Sequence, residues 1–335
     1  MTYDHYIAVD WAHKVMAIAR MTSKSERAKV FETQTDVRDL QLYLKKLQGK
    51  KILAVEEMHT SQWLYTELKP YVNELIICDP YRNRLLIDGP KTDKIDAVKL
   101  CKLLRAGMMK PIFHSGDKFI YLRKLISAYD DVVKAGVRLQ NQRSAIFRST
   151  GKNVGEKLDN ALVKFVLEGL EEGITRYETE KERYIEKIKS VGSQHKILRR
   201  LKTIPGIGPI NAIKIAALVV DPKRFPSKGH FLSYCGLIKL EKMSGGRSYG
   251  KKRPRYSRAM KSVYKTAAVG AIREDKNNPI KKYFDYLINE KNYTEKHAKN
   301  AAARRIAILS LGVWKSEKNF LAYKRSLKKC KAGQR

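Results

Sequence analysis

The sequence has few cysteines, no long apolar run and no recognisable leader. Its four cysteines among 335 residues lack paired metal-ligand spacing, so we expect free thiols in a reducing cytoplasm rather than a disulfide framework. No stretch approaches about 18 uninterrupted apolar residues, which argues against a membrane span. The opening Met-Thr-Tyr-Asp-His-Tyr has no basic region followed by an apolar core, so we expect no secretory signal. The cysteines are Cys78, Cys101, Cys235 and Cys330.

Acidic side chains become scarce after the first hundred residues. Residues 1–100 hold 16 basic and 14 acidic side chains, whereas residues 101–335 hold 53 and 20, so the net charge rises from +2 to +33. The electrostatic field of so basic a segment attracts a polyanion, and binding releases the counterions condensed on that polyanion. A highly charged soluble surface is the plain alternative, and no basic amphipathic segment shows an apolar face for membrane insertion. The charge therefore predicts a nucleic-acid partner and no membrane.

The first hundred residues alternate between strand and helix patterns. Three strands come first, followed by alternating helices and strands, which is the element order of a ribonuclease-H-like α/β fold. A generic doubly wound α/β domain fits this pattern almost as well. The predicted strands are 6–9, 15–20, 29–33, 52–55 and 75–78, and the predicted helices are 36–47, 62–71 and 93–105, with a turn at Gly89-Pro90.

The remainder reads as helical. Residues 118–201 lack proline and keep helical apolar spacing, which predicts two long helices broken around Thr150-Gly151, either a coiled-coil arm or a packed helical subdomain. Further helices are predicted over 210–220, 256–272 and 295–311, before a basic tail after Lys324. The predicted domains are therefore 1–115, a helical linker over 116–200, and a mostly helical domain over 201–335.

The segment Ile204-Pro-Gly-Ile-Gly-Pro209 is a helix-hairpin-helix signature. Gly206 and Gly208 permit a tight turn, and the amides at the start of the next helix can face a phosphate. An ordinary glycine turn between helices is the alternative.

Four acids occupy positions where a metal site could be assembled. Asp10 and Glu57 follow predicted strands, while Asp93 and Asp96 lie three apart on one helical face. Clustered carboxylates suit Mg²⁺ or Mn²⁺, and two such ions can serve phosphodiester chemistry. Each acid also has a structural interpretation, as a favourable charge at a helix start or a solvated strand end.

Ser244 is the candidate nucleophile. It precedes Gly245-Gly246, where a flexible backbone lets a hydroxyl approach a phosphate, and basic side chains follow it closely. A plain turn is the alternative interpretation, and no neighbouring His or Cys suggests a base. The candidate nucleic-acid-binding residues are Gly206, Gly208, Arg247, Lys251, Lys252, Arg253, Arg255, Arg258 and Lys261.

Taken in order, these motifs resemble the DEDD-type insertion-sequence transposases, a group that includes the Piv-type DNA invertases and the bridge-RNA-guided recombinases. The resemblance covers nearly the whole chain, and the ordered series is far more specific than any single motif. It comprises Asp10 with Lys14, the Glu57 region, Lys91-Thr-Asp-Lys-Ile-Asp-Ala97, Ile204-Pro-Gly-Ile-Gly-Pro209, Arg224-Phe-Pro-Ser227, Gly236-Leu237, Ser244-Gly-Gly246 and the basic helix that follows.

The resemblance implies a RuvC-like domain whose Asp10, Glu57, Asp93 and Asp96 bind Mg²⁺, and a C-terminal transposase domain with Ser244 as nucleophile. It implies a covalent phosphoserine link to DNA, and a composite site shared between copies of the chain in a dimer or tetramer. It also implies donor and target DNA as partners, paired by a structured non-coding bridge RNA.

One motif departs from the family. The family pattern Glu-x-Thr-Gly is replaced by Glu56-Glu-Met-His-Thr60, which leaves two candidate glutamates. Trp63 lies six residues after Glu57, the spacing of the family's tryptophan, so Glu57 is the preferred ligand and Glu56 the alternative. Strand alternation puts the two on opposite faces, so only one can face the metal.

Two other functions fit parts of the sequence. A RuvC-like structure-specific endonuclease would use the acids and metal-activated water without a serine. A non-catalytic basic DNA- or RNA-binding protein would keep the acids for structure only and would bind in a salt-sensitive manner.

Overall fold

The computed structural model describes residues 2–80, 92–116, 119–274, 278–321 and 323–324. The predicted turn at Gly89-Pro90, Lys91 of the acidic motif, Cys330 and the predicted tail after Lys324 lie outside the described residues. The chain forms two compact units, residues 1–117 and residues 118–335. Each unit has its own hydrophobic core, and each is described by itself.

The first unit is built on a six-stranded mixed sheet with the order β3-β2-β1-β4-β5-β6. β1, β2 and β3 form an antiparallel meander, β4 and β5 continue parallel to β1, and the short β6 runs antiparallel to β5. The parallel connections explain why helices separate the later strands. The strands are β1 His5–Trp11, β2 Val15–Thr22, β3 Ser25–Gln34, β4 Lys51–Glu56, β5 Glu74–Cys78 and β6 Pro111–Ile112.

Helices cover the two faces of this sheet. On one face, branched side chains such as Val9 and Val55 form a core with α1 (Val37–Lys46) and α2 (Ser61–Leu68), which is followed by a 3₁₀ turn at 69–71. On the other face the sheet presents alanines at positions 8, 17, 19 and 54, which pack against α3 (Asp93–Arg105). Small side chains let α3 approach the strands closely, so its first turn lies near the strand ends.

The second unit is helical except for one hairpin, β7 (Leu240–Ser244) and β8 (Arg247–Lys252). A single large core joins the long helices to the C-terminal ones, and within it the Tyr264 hydroxyl and the Ser310 hydroxyl are hydrogen-bonded at 2.6 Å. The helices are α4 Phe119–Ser149, α5 Ala161–Gln194, α6 Lys196–Leu201, α7 Pro209–Val219, α8 Lys228–Tyr234, α9 Arg258–Arg273, α10 Pro279–Asn289 and α11 Glu295–Ser316.

The predicted α/β first domain, the two long central helices and the helical C-terminal region are confirmed. α4 and α5 contribute side chains to this core, and polar contacts also join α4 to α7: Arg123 Nε donates to the Ala217 carbonyl at 2.8 Å, and Lys214 forms an ion pair with Asp130. The N-terminal part of α4 and the C-terminal part of α5 therefore pack within the core of the second unit.

The sequence patterns missed α8, α10 and the β7–β8 hairpin. α10 does carry ordinary start signals, because Asn278 caps it and Pro279 occupies its first turn. The hairpin has no buried side chain, so the alternation that identifies a half-buried strand is absent from it.

The contact between α4 and α5 gives a stability prediction. A Cβ at Gly136 would lie 2.3 Å from the Tyr177 ring, whereas a Cβ at Gly169, also in this helix pair, would meet nothing within 4 Å. We expect Gly136→Ala to lower the free energy of unfolding by about 1–3 kcal/mol through overpacking. Gly169→Ala should raise it by about 0.5–1 kcal/mol, because alanine favours helix more than glycine does.

Urea denaturation followed by circular dichroism measures both variants. Equal stability of the two would show that α4 and α5 do not pack at Gly136.

Candidate functional site

The carboxylates of the first unit gather where β1 and β4 end. These strands are parallel, with Val9 opposite Val55, so the next residues, Asp10 and Glu56, lie side by side. Side chains alternate along a strand, so Asp10 shares a face with Ala8, and Glu56 shares that same face with Ala54. This is the face that packs against α3.

α3 brings two more carboxylates to this edge of the sheet. Thr92 caps the helix by accepting a hydrogen bond from the Ile95 amide at 3.3 Å, and Asp93 and Asp96 occupy the first helical turn. Acids in a first turn are stabilised by the amide groups that point out of it. The buried Ala97 and Cys101 hold the helix on the sheet, which directs its first turn to the strand ends.

The pKa of Asp10 reflects the neighbouring carboxylates. Partial burial raises the Asp10 pKa from 3.8 to about 6, with further contributions from the charges of Asp93, Glu56 and Asp96. A carboxylate surrounded by carboxylates in a partly buried position favours its protonated form, and an added cation would reverse this preference.

The choice between Glu57, the preferred ligand, and Glu56, the alternative, stays a prediction, but the two side chains have different surroundings. Glu57 follows the end of β4 and alternation turns it away from Asp10. Its Oε2 lies 3.3 Å from Nε2 of His114, a buried ring that packs on Tyr65. Glu56 is the glutamate whose charge acts on Asp10. The sequence itself indicates that Glu56 is near Asp10, because aligning the apolar runs 7–9 and 53–55 places position 56 beside position 10.

The donor set of Asp10, Glu56, Asp93 and Asp96 consists only of hard carboxylate oxygens, the type that Mg²⁺ and Mn²⁺ prefer. Within the described part of the chain, however, no three His, Cys, Asp or Glu side chains converge closely enough to hold a metal ion. The four carboxylates therefore fit a divalent ion in chemistry and in shared location, and ligation would require their side chains to close around it.

Ser244 is placed at the tip of the hairpin in the second unit. Ser244 pairs with Arg247, so only Gly245 and Gly246 form the loop, with φ values of +53° and +76°. Two successive positive φ angles define a type I′ turn, which glycine adopts without steric cost. The serine is exposed, and no side chain of either strand is buried. The hydroxyl is therefore presented to solvent on a narrow ribbon.

The predicted basic residues surround this ribbon. Arg247, Lys251 and Lys252 lie exposed on β8, with Lys251 Nζ 3.9 Å from a Glu241 carboxylate oxygen. Arg253 and Arg255 lie in the exposed segment that follows, Arg258 begins α9, and Lys261 lies one turn further along it. The candidate nucleic-acid-binding cations thus lie along one strand, one loop and the start of one helix, and Arg253 and Lys261 line a common cavity.

The two glycines of the Ile204–Pro209 turn have different surroundings. Gly206 has a φ of +81°, and a Cβ there would lie 2.0 Å from the carbonyl oxygen of Ala267 on α9. Gly208 is the N-cap of α7 and has open space around it. Gly206 therefore serves the packing of the turn against α9, which leaves Gly208 as the residue whose surroundings can admit a phosphate.

Two protein-family models match this chain. A transposase model named for the DEDD type of IS110 matches residues 7–151, and a model described as "Transposase IS116/IS110/IS902 family" matches residues 198–285. Both units are thus covered in large part. No curated protein matches the chain. None of the helices among the described residues is long and apolar enough to cross a membrane.

The raised pKa of Asp10 predicts a pH-dependent stability. The ionised form is disfavoured in the folded state, so the free energy of unfolding falls as pH rises from about 4 through the folded pKa of about 6. Without divalent ions, we expect Asp10→Asn to be more stable than the parent above pH 6 by about 1–2 kcal/mol after allowing for solvent screening, and equal to it near pH 4.

Thermal unfolding across this pH range in a chelator provides the measurement. Asp39→Asn, an exposed acid of α1, is the control and should show no gain that appears with rising pH. A parallel pH profile for Asp10→Asn and the parent would contradict the gathering of carboxylates around Asp10.

Proposed function

Because this chain belongs to the IS110 family of transposases, and is therefore a DNA transposase, we propose that it cuts and rejoins DNA through a covalent phosphoserine intermediate on Ser244. A divalent metal ion assists, and a structured RNA guides the choice of sites. The observation that carries the proposal is an exposed serine hydroxyl on a glycine-glycine turn, within the most basic part of a chain whose other unit gathers four carboxylates.

We interpret the first unit as RuvC-like. An antiparallel meander followed by parallel strands, with Asp10 on β1 in the middle of the sheet and α3 covering the strand ends, supports this interpretation. The α6–turn–α7 segment is interpreted as a helix-hairpin-helix, in which the open side of Gly208 and the first amides of α7 would face a backbone phosphate.

Ser244 would act in two transesterifications. In the first, its Oγ forms a bond to phosphorus as the bond from phosphorus to the leaving strand's oxygen breaks; the serine proton is released and the leaving oxygen gains one. In the second, a hydroxyl of the exchanging strand attacks the phosphoserine and restores the serine. Arg247 lies directly across the hairpin from Ser244 and can stabilise charge on the phosphate oxygens.

The carboxylates Asp10, Glu56, Asp93 and Asp96 would hold the metal ion. When bound, a divalent ion activates an attacking oxygen and stabilises a leaving one in phosphodiester chemistry. The protein's contribution is to hold the four carboxylates at one sheet edge, where partial burial and mutual repulsion prepare them for a cation. Glu56 takes the place assigned to Glu57 by the motif spacing.

Guidance by RNA and assembly into a dimer or tetramer complete the proposal. The net charge of +33 over residues 101–335 exceeds what solubility requires and supports binding of more than one nucleic-acid segment. A foldable non-coding stretch beside the gene, with loops that match both the element's ends and its target, is the expected companion. Its absence would remove the RNA from the proposal and leave the serine chemistry in place.

Replacement of Ser244 tests the nucleophile. Ser244→Ala should abolish the covalent adduct with labelled DNA on a denaturing gel, because no Oγ remains to bond phosphorus, while DNA and RNA affinities stay within about twofold since a surface hydroxyl contributes little to binding. Ser248→Ala, on the exposed facing strand, is the matched control and should retain the adduct.

A covalent protein–DNA adduct formed by Ser244→Ala would show that Ser244 is not the nucleophile. Cleaved ends free of protein in the parent would indicate instead an endonuclease that uses water.

The two glutamates test the metal site. We expect Mg²⁺-dependent activity to fall by roughly 100-fold in Glu56→Gln, Asp10→Asn and Asp96→Asn. Each substitution removes a metal ligand, and loss of even a group that supports a ligand costs about 10- to 100-fold. Glu57→Gln should retain Mg²⁺-dependent strand transfer. Titration of activity and of thermal stability against Mg²⁺ measures both effects. The reverse ranking of Glu56→Gln and Glu57→Gln would restore Glu57 as the ligand.

A further inference from the structure

A second basic feature of the helical unit lies apart from the hairpin tip. A cavity of about 480 Å³ opens between the start of α9, the first half of α11 and the segment after Gly236. Its volume falls in the range of small-ligand sites. Six cationic side chains line it, and no Asp or Glu is among the described lining residues: Lys239, Arg253, Lys261, Lys265, Lys296 and Arg304.

The cations come from separate parts of the chain, so their meeting is a product of the fold. Lys261 and Lys265 lie one turn apart on α9, and Lys296 and Arg304 lie two turns apart on α11. Like charges held in one cavity repel each other, and a bound anion relieves this repulsion. The ligand is therefore expected to carry more than one negative charge.

Two tyrosines give the cavity apolar surfaces. The Tyr256 ring lies directly over Gly236, where a Cβ would be 2.4 Å from the ring, and Lys261 Nζ lies 4.7 Å from its centroid. Gly236 has a φ of +64°, so its backbone and its missing side chain together make room for the ring. Tyr293 lines the cavity and is 45% exposed as a residue, which leaves ring surface available for stacking.

We propose that this cavity binds an unpaired nucleotide of a DNA or RNA strand, with its phosphates against the lysines and arginines and its base against Tyr293. Aromatic rings beside cations are the usual combination for single-stranded nucleic acid, because every base has a face that can stack. The inference rests on the proposed function for the nature of the ligand, and it adds Tyr293, Lys265, Lys296 and Arg304 to the nucleic-acid-binding surface.

The position of the cavity relates it to the hairpin. Lys239 immediately precedes β7 and Arg253 immediately follows β8, so the base of the hairpin borders the cavity and Ser244 lies at its far end. Five strand residues separate the two by about 17 Å. A stacked strand covers this distance in about five nucleotides, so the cavity would hold a strand that also reaches the serine.

Direct binding measurements test the proposal on the full chain without metal. The probes are an oligodeoxyuridylate and an oligouridylate of about 12 nucleotides, a duplex of the same length, and polyglutamate. Tyr293→Ala should weaken binding of a single strand by about 5- to 100-fold, in line with the loss of one stacked base. Tyr293→Phe should bind nearly as the parent does, because the stacking face remains.

Matched controls separate the cavity from general surface effects. Tyr286→Ala removes a tyrosine of the same 45% exposure outside the cavity and should leave affinity within about twofold, the level expected of a surface change. Lys296→Ala should reduce the slope of log K against log salt by about 0.7, whereas Lys282→Ala, an exposed cation of α10, should reduce it less. Circular dichroism checks that each variant is folded.

The source of the nucleotide follows from which single strand shows the Tyr293 effect, since the two oligonucleotides differ in the sugar hydroxyl. Equal effects of Tyr293→Ala and Tyr286→Ala on both strands would overturn the proposal, and so would polyglutamate binding with the same dependence on Tyr293. The adduct on Ser244 is scored independently: its presence with no Tyr293 effect defeats this inference alone, and its absence with a Tyr293 effect defeats the proposed phosphoserine chemistry alone.

Discussion

Apolar packing that holds like charges together is the constraint on which both units depend. In the first unit, alanines on the sheet let α3 approach closely, which brings Asp93 and Asp96 to Asp10 and Glu56. In the second, α9 and α11 pack into one core while their exposed faces place lysines and arginines around a cavity. In each case the packed core offsets the repulsion, and a ligand of opposite charge would relieve it.

Much of the fold could be predicted because its signals are local. α3 begins at Asp93 and ends at Arg105, as its cap and spacing predict, and the β1–β3 meander and the long helices follow their apolar periodicity. The turns at Gly206 and at Gly245-Gly246 were both predicted from glycine spacing, and all three glycines adopt positive φ angles. Such features depend on a few neighbouring residues, so one sequence is sufficient to find them.

The remainder depends on contacts between distant segments. The register of β4 against β1 places Glu56 beside Asp10, and the spacing to Trp63 does not contain this information. The cavity takes its lining from two helices and the two flanks of a hairpin, so no stretch of sequence contains it. The β7–β8 hairpin was not predicted for a different reason. It has no buried face, so its strands lack the alternation of apolar and polar residues by which strands are recognised.

The exposure of the hairpin bears on how Ser244 can act. A two-stranded hairpin without a buried face is only marginally stable in water, so its turn and its two flanks must hold it. Asp10 lies in a six-stranded sheet, whereas Ser244 lies at the end of a two-stranded hairpin, where it pairs with Arg247 and precedes two glycines. If Ser244 attacks a phosphate, the nucleic acid that binds the hairpin would have to complete the alignment of its hydroxyl. A strand anchored at the basic residues of the hairpin base would supply that alignment and would couple the positioning of the proposed nucleophile to the binding of nucleic acid.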